Sequence, residues 1–109
     1  MEYRTAIASL AALAQPMRLR IFRALIGAGP AGMTPGDLTA TLGVPASTLS
    51  FHLKELTQAG LESPEREGRN LHYRPSIAQM NALLQYLTAH CCRGADCDSA
   101  VASPACSTC

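Results

Sequence analysis

The 109-residue chain has no tryptophan, only three Tyr and two Phe, and a net charge of +1. Nine Lys and Arg against eight Asp and Glu exclude a strongly basic coat and leave room only for a local basic face. No apolar run approaches 18 residues, so no membrane span is predicted. Residues 1–90 contain no cysteine, so no disulfide holds the body of the fold together.

Hydrophobic residues make up 48% of the chain and charged residues 16%, which favours one folded domain with a modest core. All five cysteines follow residue 90. Because no convincing secretion signal precedes them, the reducing cytoplasm is the expected location, where clustered thiols are metal ligands or redox groups. The predicted division is a folded domain over residues 1–92 and a mobile, Cys-containing tail over residues 93–109.

Apolar spacing and capping residues predict five helices and one β-hairpin. Thr34 and Asp37 are placed to cap the third helix, Ser76 and Gln79 form an S-x-x-Q capping box for the last, and Gly60 ends the fourth. The predicted helices cover about residues 5–14, 16–26, 35–42, 45–59 and 76–91, and the strands cover 61–66 and 71–74.

Each helix has a predicted apolar stripe. The stripe of the last helix has near-heptad spacing, which suits a helix that pairs with another. The predicted inward-facing residues are Leu19, Phe22 and Ile26; Leu38 and Leu42; and Leu49, Leu53 and Leu56. Ile7, Leu10, Ala11 and Ala14 share one face of the first helix, and Ile77, Met80, Leu84 and Leu87 form the stripe of the last.

The third and fourth helices are joined by little more than Gly43-Val44, the arrangement of a DNA-reading helix-turn-helix. With its leucines inside, the fourth helix turns small hydroxyls, an aromatic ring and a cation outward. Small hydroxyls permit close approach to base edges, a Phe suits a thymine methyl, and a Lys suits the phosphate backbone. These outward residues are Ser47, Ser50, Phe51, Lys54 and Gln58.

Plainer interpretations of this helix remain open. Its Ser and Thr residues are also ordinary helix caps, and Phe51 could equally face a protein partner. His52 lies at the border of the leucine stripe, where it is either a partly buried histidine or a phosphate ligand.

The hairpin concentrates basic residues where a wing would lie along the phosphates or enter the minor groove. Three acidic residues balance them, so a solvated hairpin is the alternative. The basic residues are Arg66, Arg69, His72 and Arg74, and the acidic ones are Glu62, Glu65 and Glu67.

Three motifs together resemble the ArsR/SmtB metalloregulators. Residues 13–19 read Leu-Ala-Gln-Pro-Met-Arg-Leu, residues 47–53 read Ser-Thr-Leu-Ser-Phe-His-Leu, and Arg66-Glu67-Gly68-Arg69 with Tyr73 resembles the family's wing. The resemblance implies an α+β, mostly α, winged helix-turn-helix that dimerises through its first and last helices. It further implies a repressor that leaves double-stranded operator DNA when an inducer binds. The DNA contacts it implies are Ser47, Thr48, Ser50, His52, Arg66 and Arg69.

The thiols near the carboxyl end are the candidate inducer site. Three thiolates suit a soft centre such as As(III), whose lone pair occupies a fourth direction, whereas Zn²⁺ or Cd²⁺ prefers four ligands. The C-V-C of arsenic-sensing members is missing from the third helix, and His90 is the last helix's only counterpart to the family's zinc ligands. The predicted As(III) ligands are Cys91, Cys92 and Cys97, with Cys106 and Cys109 as lesser contributors.

Other functions remain open at this point. The inducer could instead be Sb(III), methylated arsenic, Zn²⁺, Cd²⁺ or thiol oxidation, and the site could lie within one chain or across a dimer. A different class would be a thiol-based metal-handling or redox protein. No Ser-His-Asp order, phosphate-binding glycine loop or H-E-x-x-H occurs, so neither an enzyme nor an organic cofactor is predicted.

Overall fold

Five helices and one β-hairpin follow one another along the chain in a computed structural model that describes residues 1–89. This order confirms the predicted winged helix-turn-helix fold. A single 3₁₀ turn, Gly29–Ala31, follows the second helix. The elements are α1 (Tyr3–Leu13), α2 (Pro16–Ala28), α3 (Pro35–Leu42), α4 (Ala46–Gln58), β1 (Glu62–Glu67), β2 (Asn70–Pro75) and α5 (Ile77–Thr88).

The helix-turn-helix is defined by its capping residues. The Asp37 amide donates to Thr34 Oγ1 over 3.1 Å, and the Thr34 amide donates back to Asp37 Oδ2 over 3.2 Å, which completes the predicted capping box of α3. Gly43 ends α3 with φ +68°. Gly60, with φ +78°, ends α4 and lets the Leu61 amide donate to the Leu56 carbonyl over 3.1 Å. These residues fix both ends of α3 and the C-terminal end of α4.

The capping box predicted for α5 forms only in part. Ser76 Oγ accepts from the Gln79 amide over 3.2 Å, but the Gln79 side chain does not return to Ser76. It donates instead to Ser9 Oγ over 3.0 Å and to the Ala59 carbonyl over 3.4 Å. Ser9 is fully buried and its hydroxyl donates to the Thr5 carbonyl over 2.9 Å, so Gln79 supplies the donor that the same oxygen accepts. Gln79 thereby ties α5 to α1 and to the end of α4.

The hairpin is pinned to the helical body through β2. Met33 and Tyr73 exchange two backbone hydrogen bonds of 3.0 and 2.8 Å. A Cβ on Gly32 would lie 2.6 Å from the Tyr73 carbonyl oxygen, so only glycine permits this approach. The strands pair from Glu62 with Pro75 to Glu67 with Asn70, which makes the turn shorter than predicted. The wing is therefore held at its base and free at its tip.

One core lies between α2, α3, α4 and the base of the wing. Its members are Ala12, Ile21, Phe22, Leu25, Leu38, Leu49, Leu53, Leu56 and Leu61. The leucine stripe of α4 is confirmed. The predicted inner face of α2 is wrong in part, because Leu19 and Ile26 are 47% and 40% exposed. The side of α2 that meets its neighbours is centred about 100° from those two residues.

Apolar residues of the first and last helices stay exposed in the single chain. On α5 only Leu83 is buried, and Ile77, Leu84 and Leu87 of the predicted stripe are exposed. On α1 the small residues Ala6, Ser9 and Ala12 are buried, whereas Ile7, Leu10, Ala11 and Ala14 of the predicted face are exposed. The exposed residues are Tyr3, Ile7, Leu10, Ile77, Leu84 and Leu87. Among the described helices, none is long and apolar enough to cross a membrane.

Candidate nucleic-acid interface

One side of α4 is apolar and buried, and the opposite side is polar and exposed. Leu49, Leu53 and Leu56 are at most 3% exposed. At 100° per residue, the residues on the opposite side are those predicted from the sequence, and all are exposed. We call this set the outer face of α4: Ser47, Ser50, Phe51, Lys54 and Gln58.

Phe51 is the one large apolar side chain on this face, and it is 57% exposed. Its ring meets the ring of His52 edge to face, with centroids 5.4 Å apart. A ring held against a neighbour but open to solvent is available for apolar contact with a partner. Thr48 is also exposed, on the flank of α4.

His52 lies on the inner side of α4 and is only 8% exposed. Its Nδ1 has no hydrogen-bond partner within residues 1–89. Burial lowers the pKa of His52, and the positive charge of Arg18 lowers it further. A neutral, buried imidazole does not suit a phosphate ligand, so we omit His52 from the proposed DNA contacts.

The basic residues of the wing divide into two groups. Arg74 is engaged: it donates to Glu65 over 2.7 Å, to Glu67, and to the Pro30 carbonyl over 2.7 Å. Its hydrogen bond and charge lower the pKa of Glu67. Arg66 and Arg69 are exposed, and Arg69 lies in the turn at the tip. Arg74 thus neutralises acidic residues of the wing and leaves positive charge to Arg66 and Arg69.

A buried carboxyl links α4 to the base of the wing. Glu62 is 2% exposed, and burial raises its pKa to about 7. The Thr57 hydroxyl lies within hydrogen-bond distance of both the Leu53 carbonyl and Glu62 Oε1. It has one proton for these two acceptors, so protonated Glu62 donating to Thr57 satisfies both contacts. From its place in the hairpin, Glu62 was predicted to be solvated like Glu65 and Glu67; its burial is not visible in the sequence.

Arg20 is a further basic residue near the helix-turn-helix. It is exposed on α2, and its Nη2 donates to the Leu42 carbonyl over 3.4 Å. This contact places a guanidinium at the turn between α3 and α4. The clustering of arginines on α2 is visible in the sequence, but only the contact shows which one reaches the turn.

The predicted inducer ligands cannot be placed in the same way. Cys91, Cys92, Cys97, Cys106 and Cys109 all lie outside the described residues, as does the predicted boundary at residue 92. Within residues 1–89, no cluster of three His, Cys, Asp or Glu side chains could hold a metal ion.

Comparisons with known proteins agree with this geometry. Residues 13–64 match a helix-turn-helix domain family. The HTH-type transcriptional regulator YgaV from Escherichia coli K12 is 33% identical over 82 residues, which are 75% of this chain and 81% of that one. An ArsR-like transcriptional regulator from Rhodococcus sp. RHA1 superposes with a TM-score of 0.71 at 28% identity, covering 78% of this chain and 77% of that one.

A third similar structure is the homodimeric winged helix-turn-helix DNA-binding domain Mb0332 from Mycobacterium bovis. It superposes with a TM-score of 0.63 at 26% identity, covering 80% of this chain and 81% of that one. The fold and the exposed face of α4 define a winged helix-turn-helix transcriptional regulator. Its motifs and relatives place it more narrowly: the chain belongs to the ArsR/SmtB family.

Proposed function

We propose that this regulator is a homodimeric repressor that binds operator DNA and releases it when As(III) binds Cys91, Cys92 and Cys97. The observation that carries the DNA-binding part is the outer face of α4, which is polar and exposed directly opposite a fully buried leucine stripe. A helix with this division is free to enter the major groove without disturbing the core.

The outer face of α4 would read the operator. Ser47 and Ser50 are small enough for close approach to base edges, and Phe51 would contact a thymine methyl. Lys54 would pair with a phosphate, joined by Thr48 on the flank and Arg20 at the turn. Arg66 and Arg69 on the wing would contact the neighbouring backbone or minor groove. These contacts would position two recognition helices on half-sites one helical turn apart in a dimer.

Exposed apolar residues on α1 and α5 support the homodimer. Ile7 and Leu10 on α1, and Leu84 and Leu87 on α5, are each about half exposed in the single chain. Covering such residues is favourable by roughly 25 cal/mol for each Å² of apolar surface removed from water. The related Mb0332 domain is homodimeric.

The arsenic part of the proposal depends on the thiols that follow α5. As(III) is a soft centre that prefers sulfur ligands, and Cys91 and Cys92 come three and four residues after the last residue of α5. A metalloid bound there would bias how α5 docks in the dimer and so the separation of the two recognition helices. A coupling of about 1–3 kcal/mol would weaken DNA affinity roughly 5–150-fold.

Fluorescence anisotropy with a labelled duplex from the chain's own promoter region tests this proposal. Arsenite should release the wild-type protein, and Cys91→Ser, Cys92→Ser and Cys97→Ser should stay bound. The double variant Cys106→Ser/Cys109→Ser is the matched control and should respond as wild type does.

Four outcomes would contradict the proposal. Tighter binding with arsenite would overturn the repressor mechanism, and no response to arsenite would overturn the inducer. Release by Zn²⁺, Cd²⁺ or peroxide in place of arsenite would assign the thiols to another signal. Absence of salt-dependent binding to the duplex would remove the DNA contacts altogether.

A further inference from the structure

A groove of about 360 Å³ opens between α1, α2 and α4. Its volume lies within the range of small-molecule sites, which is roughly 300–1,000 Å³. Four alanines provide an apolar lining, and three polar side chains lie among them. The lining residues are Ala8, Ala11, Ala12, Arg18, Glu55, Gln58 and Ala59.

Arg18 has unused hydrogen-bonding capacity in this groove. Its side chain is 19% exposed, and its buried Nε has no acceptor within residues 1–89. Its Nη1 forms a long ion pair with Glu55, 3.9 Å from Oε2, which is beyond hydrogen-bond distance. A buried Nε–H without an acceptor is costly, so a carboxylate that reaches it through the groove would be favoured there.

The negative charge of Glu55 places a second requirement on any ligand of the groove. Its side chain is 36% exposed on the same groove, so a ligand with a carboxylate alone would meet a like charge. A ligand with a cation alone would meet Arg18. Opposite charges a few ångströms apart on one small molecule would satisfy both side chains, and the alanines leave space for an apolar substituent.

We propose that this groove binds a free α-amino acid with an apolar side chain, its carboxylate paired with Arg18 and its ammonium paired with Glu55. Gln58 would add an amide donor or acceptor at the rim.

The groove borders the surfaces that the proposed function uses. On α1, Ala11 lies about 40° around the helix from the exposed Ile7, and on α4, Glu55 lies about 40° from Phe51. Because the test needs neither DNA nor arsenic, failure of the proposed function would leave this inference standing, and the reverse also holds.

Nuclear magnetic resonance of the ¹⁵N-labelled full chain tests the site with three probes. L-Leucine carries both charges, 4-methylpentanoate lacks the ammonium, and 3-methylbutylammonium lacks the carboxylate. L-Leucine should shift the amide signals of Ala8, Ala11 and Ala59, and each analogue should bind about tenfold or more weakly, since one charge-assisted contact is lost.

Two isosteric variants complete the experiment. Glu55→Gln should weaken L-leucine about tenfold and leave 4-methylpentanoate bound as well or better, because the like charge is gone. Glu65→Gln on the wing is the matched control and should bind L-leucine as wild type does. The amide spectrum of each variant reports directly whether it is folded.

The proposal is overturned if L-leucine at millimolar concentration leaves these amides unshifted. Equal affinities for L-leucine and 4-methylpentanoate would also overturn it, because Glu55 would then play no part. The same conclusion follows if Glu55→Gln binds L-leucine with wild-type affinity.

Discussion

The helices α4 and α5 are almost equal in length, 13 and 12 residues, yet they place their apolar residues in opposite ways. The leucines of α4 at 49, 53 and 56 are buried, and its outer face is polar. On α5 only Leu83 is buried, and Ile77, Leu84 and Leu87 are about half exposed. The single chain therefore completes the packing of α4 but leaves that of α5 incomplete.

This difference separates two kinds of surface. A polar face opposite a completed core, as on α4, is suited to a charged and hydrated partner such as DNA. An apolar face that residues 1–89 leave uncovered, as on α5, is suited to another apolar surface. A helical stripe in the sequence does not reveal which of these cases applies, because its spacing is the same in both.

The largest expected effect is on the free energy of unfolding, at the leucines of α4 that lie in the core. Leu56 is fully buried, so Leu56→Ala should lower the free energy of unfolding by about 2–5 kcal/mol through lost burial and a residual cavity. Urea denaturation would measure this loss. Leu19→Ala, at a leucine that is 47% exposed, is the control and should change stability by about 0.5 kcal/mol or less. If both variants lose the same free energy of unfolding, burial does not distinguish Leu56 from Leu19.

On α5 the corresponding change should affect association. Leu84→Glu would place a carboxylate in the proposed dimer interface and should weaken the dimer by about 2 kcal/mol or more, roughly 30-fold in Kd. Sedimentation equilibrium would measure this shift. Leu19→Glu on α2 has a similar exposure and should leave the dimer intact. If Leu84→Glu associates as wild type does, α5 does not form the interface.

Much of the fold was predictable because local signals and packing agree. The Thr34–Asp37 box, Gly43 and Gly60 fix helix ends by short-range geometry, and the structure confirms each of them. The outer face of α4 also followed from spacing, because its leucines offer only one possible inner side.

The rest depended on contacts between distant residues. Leu19 and Ile26 have proper helical spacing but lie on the wrong side of α2, because three other helices and β2 determine which side is covered. Gln79 had a local partner in Ser76, but buried Ser9, 70 residues away, binds its side chain. Glu62 was predicted to be a solvated acid of the hairpin, and Arg18 entered only as part of the family motif; the tertiary fold buries both side chains in large part.

The buried carboxyl of Glu62, at the base of the wing, makes the stability of the protein depend on pH. Its folded-state pKa of about 7 exceeds its ordinary value of 4.5, so the folded protein keeps a proton that the unfolded chain loses. This contribution to stability is fully present below pH 4.5 and is lost as the pH rises through about 7. Glu62→Gln resembles the protonated acid and should be about 1–2 kcal/mol more stable than wild type at pH 8, with no such advantage at pH 4.

Thermal unfolding at a series of pH values would measure this effect. Glu65→Gln removes an exposed carboxyl from the same strand and serves as the control. If the stabilities of wild type and Glu62→Gln both stay constant between pH 4.5 and 8, the pKa of Glu62 is not raised in the folded protein. The contact between Glu62 and Thr57 would then be open to solvent.

The smallest effect is expected on the outer face of α4, where Lys54 touches nothing in the core. Lys54→Gln should leave the unfolding free energy unchanged and weaken DNA binding by about 1 kcal/mol at moderate salt. Because one phosphate contact is lost, the slope of log K against log salt should become shallower by about 0.9. Arg23→Gln on α2 removes the same charge from an exposed residue outside the proposed DNA and dimer interfaces and should leave that slope unchanged. If both variants change the slope equally, DNA responds to the overall charge of the protein, and the outer face of α4 has no special place in binding.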